Sequence, residues 1–170
     1  MPKRVKRFGK EEDGAALLEG AIVFVPFILF AMAIFDLALG YFANTVLDHG
    51  VESMARQIRT NQITAQTHTA AQFKTELCSM GMLSMFRCDD LHVDVRQVGQ
   101  FEEQGTPRKA DGSLDTDGMG FNPGGRVTIN VMTAYYEWPM LMKWNNFTDR
   151  EVGHNGKKLL SSSKAFRKEP

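Results

Sequence analysis

The longest apolar run of the chain lies near its N-terminus. Residues 20–35 contain no charged side chain, and from Gly20 to Phe42 the only charge is Asp36. A helix that crosses a hydrocarbon core of roughly 30 Å needs about 20 residues. This pattern predicts a membrane-spanning helix over about residues 20–42.

Beyond Phe42 the apolar residues recur at helical spacing between polar ones. The predicted stripe comprises Leu39, Phe42, Val46, Leu47, Val51, Met54 and Ile58. One helix is therefore expected from Ala15 to about residue 60, kinked at Pro26 because proline removes a backbone donor. We expect the protein's own C-terminal sheet to cover the stripe, and the stripe of a partner subunit is the alternative.

The remaining residues, 61–170, combine one short helical pattern with alternating patterns typical of strands. Helical spacing indicates a helix over 69–79, and alternation predicts strands over 91–98 and 127–138. A third strand is expected over 159–166. Residues 100–125 form a long Gly-, Asp- and Pro-rich loop. The fold class is α+β, with a long N-terminal transmembrane and amphipathic helix packed against a small antiparallel sheet.

The charge of the chain is balanced overall but not at the start. The 170 residues, enough for one modest domain, carry 20 Lys and Arg against 20 Asp and Glu, which gives no basic footprint for nucleic acid. Five of the basic residues lie in positions 1–10. By the positive-inside rule residues 1–14 form a cytoplasmic leader, and everything after Phe42 lies outside.

Three interpretations of this N-terminus remain open. A secretory signal peptide with a cleavage site at Ala38 to Gly40 would release a chain that starts at Tyr41, although the apolar run is long for one. An uncut anchor needs only the observed length and charge bias. The third interpretation is a processed leader, and it accounts for more of the residues.

The third interpretation depends on Gly14-Ala15-Ala16-Leu17-Leu18-Glu19 after a short charged leader. This segment resembles the prepilin signal of type IV pilin-like proteins. With Pro26 seven residues after Glu19, it is similar to the TadE/TadF pseudopilins of the tight-adherence (Tad/Flp) pilus system, from whose usual Val and Phe beside the glutamate Leu18 and Gly20 depart. The ending Arg167-Lys168-Glu169-Pro170 also resembles that of the family.

The resemblance implies a type IV pilin-like fold and a structural role. A prepilin peptidase would cut after Gly14, so that Ala15 becomes the N-terminus and Glu19 pairs with the amino group of a neighbouring subunit's Ala15 to set the subunit register. The implied partners are other pilin or pseudopilin subunits, the inner-membrane pilus assembly platform and the lipid bilayer, with the C-terminal domain in the periplasm. The alternative function is an uncleaved single-pass scaffold of a secretion or adhesion complex.

Two smaller features concern the outer domain. Cys78 and Cys88 are the only cysteines, and an extracytoplasmic location favours a disulfide between them over a metal pair. Within the long loop Asp111, Ser113, Asp115 and Asp117 alternate like the first half of a calcium loop, but the bidentate acid expected at position 124 is a glycine. A solvated loop is therefore the default, and no cofactor is predicted.

No catalytic motif occurs among the histidines, serines or glycines, so enzymatic activity is not expected. Asp36 is expected to be a solvated acid at the membrane boundary, and His92 an exposed residue of the first strand. Two further groups are expected to be an aromatic cluster and a solvated basic face: Tyr135, Tyr136, Trp138, Trp144 and Phe147, and Lys157, Lys158, Lys164, Arg167 and Lys168.

Overall fold

A computed structural model describes residues 13–99, 107–109, 113–140 and 157–170, with side chains from Leu18 onward. Its helices are α1 (Asp13–Arg59) and α2 (Ala70–Ser79), and its strands are β1 (Leu91–Gln97), β2 (Ile129–Pro139) and β3 (Lys157–Arg167). Two 3₁₀ turns, Gly81–Met85 and Cys88–Asp90, connect α2 to β1. The predicted α+β class, with a long apolar N-terminal helix and a small antiparallel sheet, is confirmed.

The chain divides into two compact units, Met1–Ala38 and Leu39–Pro170. In the first unit, α1 continues through Pro26 as one helix. The boundary between the units lies inside α1, so residues 39–59 of this helix belong to the same unit as the sheet.

The second unit contains a three-stranded antiparallel sheet in the order β1-β2-β3. The register places Leu91 opposite Tyr136 and Tyr136 opposite Leu160, so one row of apolar side chains crosses all three strands. Because a sheet of this size is stable only when one face is covered, the sheet needs the helix.

Residues of α1 beyond position 42 cover that face. The buried core combines residues of α1, of α2 and its neighbouring turn, and of the sheet: Ala43, Leu47, Val51, Met54 and Ile58, then Phe73, Leu77 and Leu83, then Leu91, Val95, Met132, Ala134 and Leu160. The expectation that the protein's own sheet covers the stripe is thus confirmed. Phe42 does not belong to the stripe, since it is 51% exposed and Ala43 is buried in its place.

The face of β2 that packs against α1 carries the even-numbered residues. Met132, Ala134 and Tyr136 are buried in the core, and Asn130 is fully buried beside them. The predicted first residue of the strand, Val127, instead has a left-handed backbone (φ 63°) and precedes the strand. The β-branched residues on the odd-numbered side therefore do not mark the core face.

The local sequence defines the start of α2. Thr69 is the N-cap: its hydroxyl accepts a hydrogen bond from the Gln72 amide, and the Gln72 side chain accepts one from the Thr69 amide. This capping box satisfies two donors that the first turn leaves free. The helix then buries Phe73 and Leu77, four residues apart, on one face.

Candidate functional site

The apolar part of α1 presents its side chains outward. Within the described residues, one helix is long and apolar enough to cross a membrane, and it lies near the N-terminus. Its large side chains are exposed: Leu18, Ile22, Val23, Phe24, Val25, Phe27, Ile28, Leu29, Phe30, Met32, Ile34, Phe35, Leu37, Tyr41 and Phe42. Apolar side chains on every side of a helix are typical of a segment surrounded by lipid or by partner helices.

The predicted processing residues lie in the first turns of this helix. Helix α1 begins at Asp13, so Gly14 and Ala15 have helical backbone, and their side chains lie outside the described set. Glu19 is exposed, one turn further along. A carboxylate in this position is costly in lipid unless it meets a cation.

Asp36 differs from its prediction. The side chain is buried, with 7% of its surface exposed, and it has an interaction partner. The prediction of a solvated boundary acid is therefore wrong. The physical reason is that Asp36 precedes the buried Gly40 and Ala43 by four and seven residues, so it lies on the same face of α1.

The structure joins Cys78, in the last turn of α2, to Cys88 by a disulfide. Their Cα atoms are 5.9 Å apart. Cys78 is buried in the core, so the bridge fastens the turns between α2 and β1 to the core. The described part of the chain has no free cysteine.

An aromatic group lies at the end of the sheet where β2 finishes. The Phe86 ring stacks on Tyr136 with centroids 4.8 Å apart, and it meets the edge of Trp138 at 5.8 Å. The Tyr136 hydroxyl accepts a hydrogen bond from the Arg87 amide. These rings pack within the unit, whereas the predicted members Trp144 and Phe147 lie outside the described residues.

The basic residues of β3 do not form the predicted solvated face. Lys157 Nζ lies 2.9 Å from Asp90 Oδ1 and 3.0 Å from Glu137 Oε2. The hydrogen bond from Lys157 lowers the pKa of Asp90, and the bonds to Asp90 and then Glu137 raise the pKa of Lys157. The prediction fails because strand pairing and the turn before β1 bring acids to this lysine.

Lys164 and Lys158 also have partners in the second unit. Lys164 Nζ is 3.6 Å from Asp48 and 3.4 Å from Glu52, both on α1. The Lys158 ammonium lies 5.9 Å from the centre of the Tyr41 ring. Lys158 meets Tyr41, and the later residue Lys164 meets the later residue Asp48. Strand β3 therefore runs in the same direction as this part of α1.

The C-terminal residues close the open end of α1. The Glu169 amide donates to the Arg59 carbonyl at 3.0 Å, and the Asn61 side-chain amide donates to the Glu169 carbonyl at 3.2 Å. Lys168 is buried and donates to the Gly124 carbonyl, and its burial lowers its pKa. The helix end thus receives a cap from the far end of the chain.

Part of the candidate calcium loop is described, and a lysine occupies it. Lys109 Nζ lies 3.3 Å from Asp117 Oδ2 and 4.0 Å from Asp115 Oδ1. Asp111 lies outside the described residues. Among the described residues no group of three acidic, histidine or cysteine side chains is placed to hold a metal ion.

A pocket of about 260 Å³ lies between α2 and the edge of β1. Lys74 and His92 are the charged or titratable residues that line it. His92 is half-buried rather than exposed, because α2 packs beside it, and burial first and Lys74 second lower its pKa. The lining shows no nucleophile paired with a base, so the pocket suggests no catalytic chemistry.

The long exposed apolar helix indicates a single-pass membrane protein, and an α+β unit follows this helix in the chain. The family model described as TadE-like protein matches residues 14–56, from the predicted cleavage position almost to the end of α1. The resemblance to this family, predicted from the N-terminal residues, is therefore confirmed over this segment. No curated protein and no solved structure matches the chain.

The family match supports a protein associated with a Tad pilus. The family is a structural one rather than an enzymatic one. Sequence reasoning found the residues of the match, but it missed the C-terminal cap of α1 and the partners of the lysines. The partners of Lys164, for example, are Asp48 and Glu52. These acids are distant from β3 in sequence, so only the folded structure identifies the contacts.

Proposed function

We propose that this chain is a pseudopilin or minor pilin that takes part in assembly or initiation of a Tad/Flp-type pilus. The observation that carries the proposal is the family match, which begins at Gly14 and covers the apolar helix. The outer unit after Phe42 supports a minor role, because it would cap or nucleate a fibre rather than form its repeating shaft.

In this proposal the chain spans the bacterial inner membrane once. The basic leader lies in the cytoplasm, where the positive-inside rule places it, and the α+β unit lies in the periplasm. The Cys78–Cys88 disulfide supports this orientation, because disulfides persist in oxidising compartments such as the periplasm.

The proposed assembly step begins with cleavage after Gly14 by a prepilin peptidase. The new amino group of Ala15 carries a positive charge, and it forms an ion pair with the carboxylate of Glu19 in a neighbouring subunit. In lipid each of the two charges is costly alone, so their pairing favours one axial position of neighbouring helices.

Cleavage is tested with the protein extracted from its native membrane. The intact mass of the wild type should correspond to a chain that starts at Ala15, and Gly14→Leu should abolish this processing. Gly20→Leu is the matched control, since Gly20 has no neighbouring side chain within 4 Å and should be processed normally. An uncut wild-type chain would support the anchored scaffold instead, and a start at Tyr41 would make the protein a secreted one.

The register role of Glu19 is tested by pilus assembly. Glu19→Ala should abolish incorporation into the pilus or its assembly complex while the chain stays in the membrane. The control Glu52→Ala removes an acid of α1 that pairs with Lys164 outside the membrane segment, and it should assemble. Normal assembly of the Glu19→Ala variant would contradict the role.

A further inference from the structure

Strand β1 lies at one edge of the sheet, and its outer side is already paired at one point. The Val95 amide donates to the Gly120 carbonyl at 2.7 Å, and the Asn122 amide donates to the Val95 carbonyl at 2.7 Å. These two bonds form a parallel bridge between Val95 and Phe121. The outer side of β1 therefore accepts an extended backbone.

The backbone of Val93 presents a further donor and a further acceptor at the same edge. Backbone groups of successive strand residues point to opposite sides, so those of Val93 point in the same direction as those of Val95. The Gly120 amide, which a continued bridge would direct at Val93, instead donates to Asp94 Oδ1 at 3.1 Å. Within the part of the chain that the structure describes, no group is bonded to the Val93 amide or carbonyl on this side. A strand edge with free donors and acceptors is a template for another strand.

The pocket of about 260 Å³ between α2 and β1 contains this free part of the edge. Val93 lines it together with apolar side chains of α2 and of the bridged segment, which include Phe73, Met119 and Phe121. The Phe73 and Phe121 rings contact each other with centroids 4.7 Å apart, so α2 and the bridged segment meet beside the edge. An extended segment in this pocket would contact apolar side chains as well as the Val93 backbone.

Lys74 gives the pocket a positive charge. Of the described residues that line it, Lys74 is the only lysine, arginine or acid. The described residues include no acid that pairs with Lys74, and the acid of α2, Glu76, contacts His68 instead. The lysine is half-buried, and an ammonium in such a position favours a carboxylate as its ligand.

We propose that this edge binds an extended segment of a partner protein that carries an acidic side chain. The segment adds a strand beside β1. Its backbone exchanges hydrogen bonds with the Val93 amide and carbonyl, and its Asp or Glu side chain pairs with the Lys74 ammonium. In this mode of recognition main-chain bonds supply affinity, and the pocket selects the side chain. The inference concerns the second unit alone, so it does not depend on cleavage of the leader.

The backbone at Val93 is the reason for choosing a peptide segment rather than a free anion. A carboxylate or phosphate ion could accept from the Val93 amide, but an ionised group has no N–H to offer the Val93 carbonyl. A peptide backbone supplies both, as the bridged segment does at Val95. The charge of Lys74 then selects an acidic side chain over a neutral or basic one.

The experiment measures binding of three blocked heptapeptides to the full-length protein in detergent. Each peptide alternates Thr and Val and carries Glu, Gln or Lys at its centre, and acetylated and amidated ends remove the terminal charges. Fluorescence anisotropy of labelled peptides gives the dissociation constants. We expect the Glu peptide to bind at least about ten times more tightly than the Gln peptide. Equal affinities for the three peptides, or no binding of the Glu peptide, would overturn the proposal.

Charge reversal at Lys74 tests the selection of the acid. Lys74→Gln should remove the difference between the Glu and Gln peptides, and Lys74→Glu should make the Lys peptide the tightest ligand. Lys158→Gln is the matched control, because Lys158 lies on β3 at the opposite edge of the sheet, and its preferences should equal those of the wild type. A Lys74→Glu variant that still prefers the Glu peptide would contradict the proposal.

Hydrogen exchange tests the added strand. The Glu peptide should slow exchange of the Val93 amide by about tenfold or more and leave that of Val95 unchanged, since the Val95 amide is already bonded to Gly120. Acetate at the same concentration supplies a carboxylate without a backbone and should protect neither amide. Equal protection of Val93 by acetate, or unchanged exchange of Val93 with the Glu peptide bound, would refute the proposal.

Discussion

Gly50 shows how a single residue determines packing in the second unit. Glycine in the middle of a helix costs about 1 kcal/mol relative to alanine, so a glycine there needs a compensating contact. The contact is Leu83, which is buried against the helix at the point where a side chain would stand. Gly40, in the same helix, has no atom within 4 Å of the corresponding position.

Gly50→Ala should therefore destabilise the protein, although alanine is the better helix former. Overpacking of a core costs about 1 to 3 kcal/mol, which exceeds the gain in helix propensity. Gly40→Ala should leave stability unchanged or raise it by up to about 1 kcal/mol. Thermal unfolding in detergent, followed by circular dichroism, measures both, and a more stable Gly50→Ala variant would show that Leu83 moves aside freely.

His92 makes stability depend on pH on the acidic side of neutrality. Burial and Lys74 lower its pKa from 6.5, so between its folded pKa and 6.5 the unfolded state binds more protons. Stability should rise with pH through this window and level off above it. His92→Gln should flatten this part of the profile of melting temperature against pH.

Lys74→Gln is the companion variant for His92. It removes the second cause of the lowered pKa and should reduce the slope, whereas burial of His92 remains. If the His92→Gln protein kept the full wild-type slope just below pH 6.5, another group would be responsible for it.

At the scale of elements, the end of α1 depends on the C-terminal residues. Helix ends leave carbonyl groups without intrahelical partners, and here the Glu169 amide satisfies that of Arg59. The Glu169 side chain adds a contact at 3.7 Å to Arg59, but both side chains are largely exposed. Such surface ion pairs contribute little, so the backbone contact matters more.

Deletion of residues 168–170 should therefore loosen the last turn of α1, while Glu169→Ala should not. Hydrogen exchange of the amides of residues 56–60 is the appropriate measurement, and we expect faster exchange in the deletion variant alone. If the amides of residues 56–60 exchanged at the same rate in the deletion variant as in Glu169→Ala, the cap would not stabilise the helix end.

The disulfide should stabilise the segment between α2 and β1. For a loop that spans ten residues the chain-entropy estimate is about 2 to 3 kcal/mol. Replacing Cys78 and Cys88 by alanine together should lower the free energy of unfolding by about this amount in a urea titration. Reductant should destabilise the wild type and leave the double variant unaffected; an equal effect on both would point to a cause other than the disulfide.

The elements themselves were largely predictable from local patterns. Capping by Thr69 and the spacing of Phe73 and Leu77 define α2, and alternation identifies β1 and β2. The face of β2 that packs in the core was harder to predict, because its buried residues include the polar Asn130 beside Met132 and Ala134. Alternation identifies two faces, but only the contact with α1 selects the one that is buried.

At the scale of the whole molecule, residues 20–42 should hold the protein in a membrane. A charge in the middle of such a helix costs about 2.5 to 3.5 kcal/mol on insertion. Phe30→Arg should therefore weaken retention in the membrane after alkaline extraction. Thr45→Arg, at an exposed position after the segment, should be retained like the wild type, and full retention of Phe30→Arg would show that this helix is not the anchor.

The sequence alone determined the apolar helix, the α+β class and the family resemblance, because each depends on residues that are close together in the chain. The tertiary structure alone decided the burial of Asp36, the acidic partners of Lys157 and Lys164 and the position of the C-terminal residues. These features join residues far apart in sequence, and in the same packing Ser162 meets Asp48 across 114 positions. Periodicity specifies which side of an element is apolar, whereas the packing of α1 on the sheet specifies which distant side chains meet.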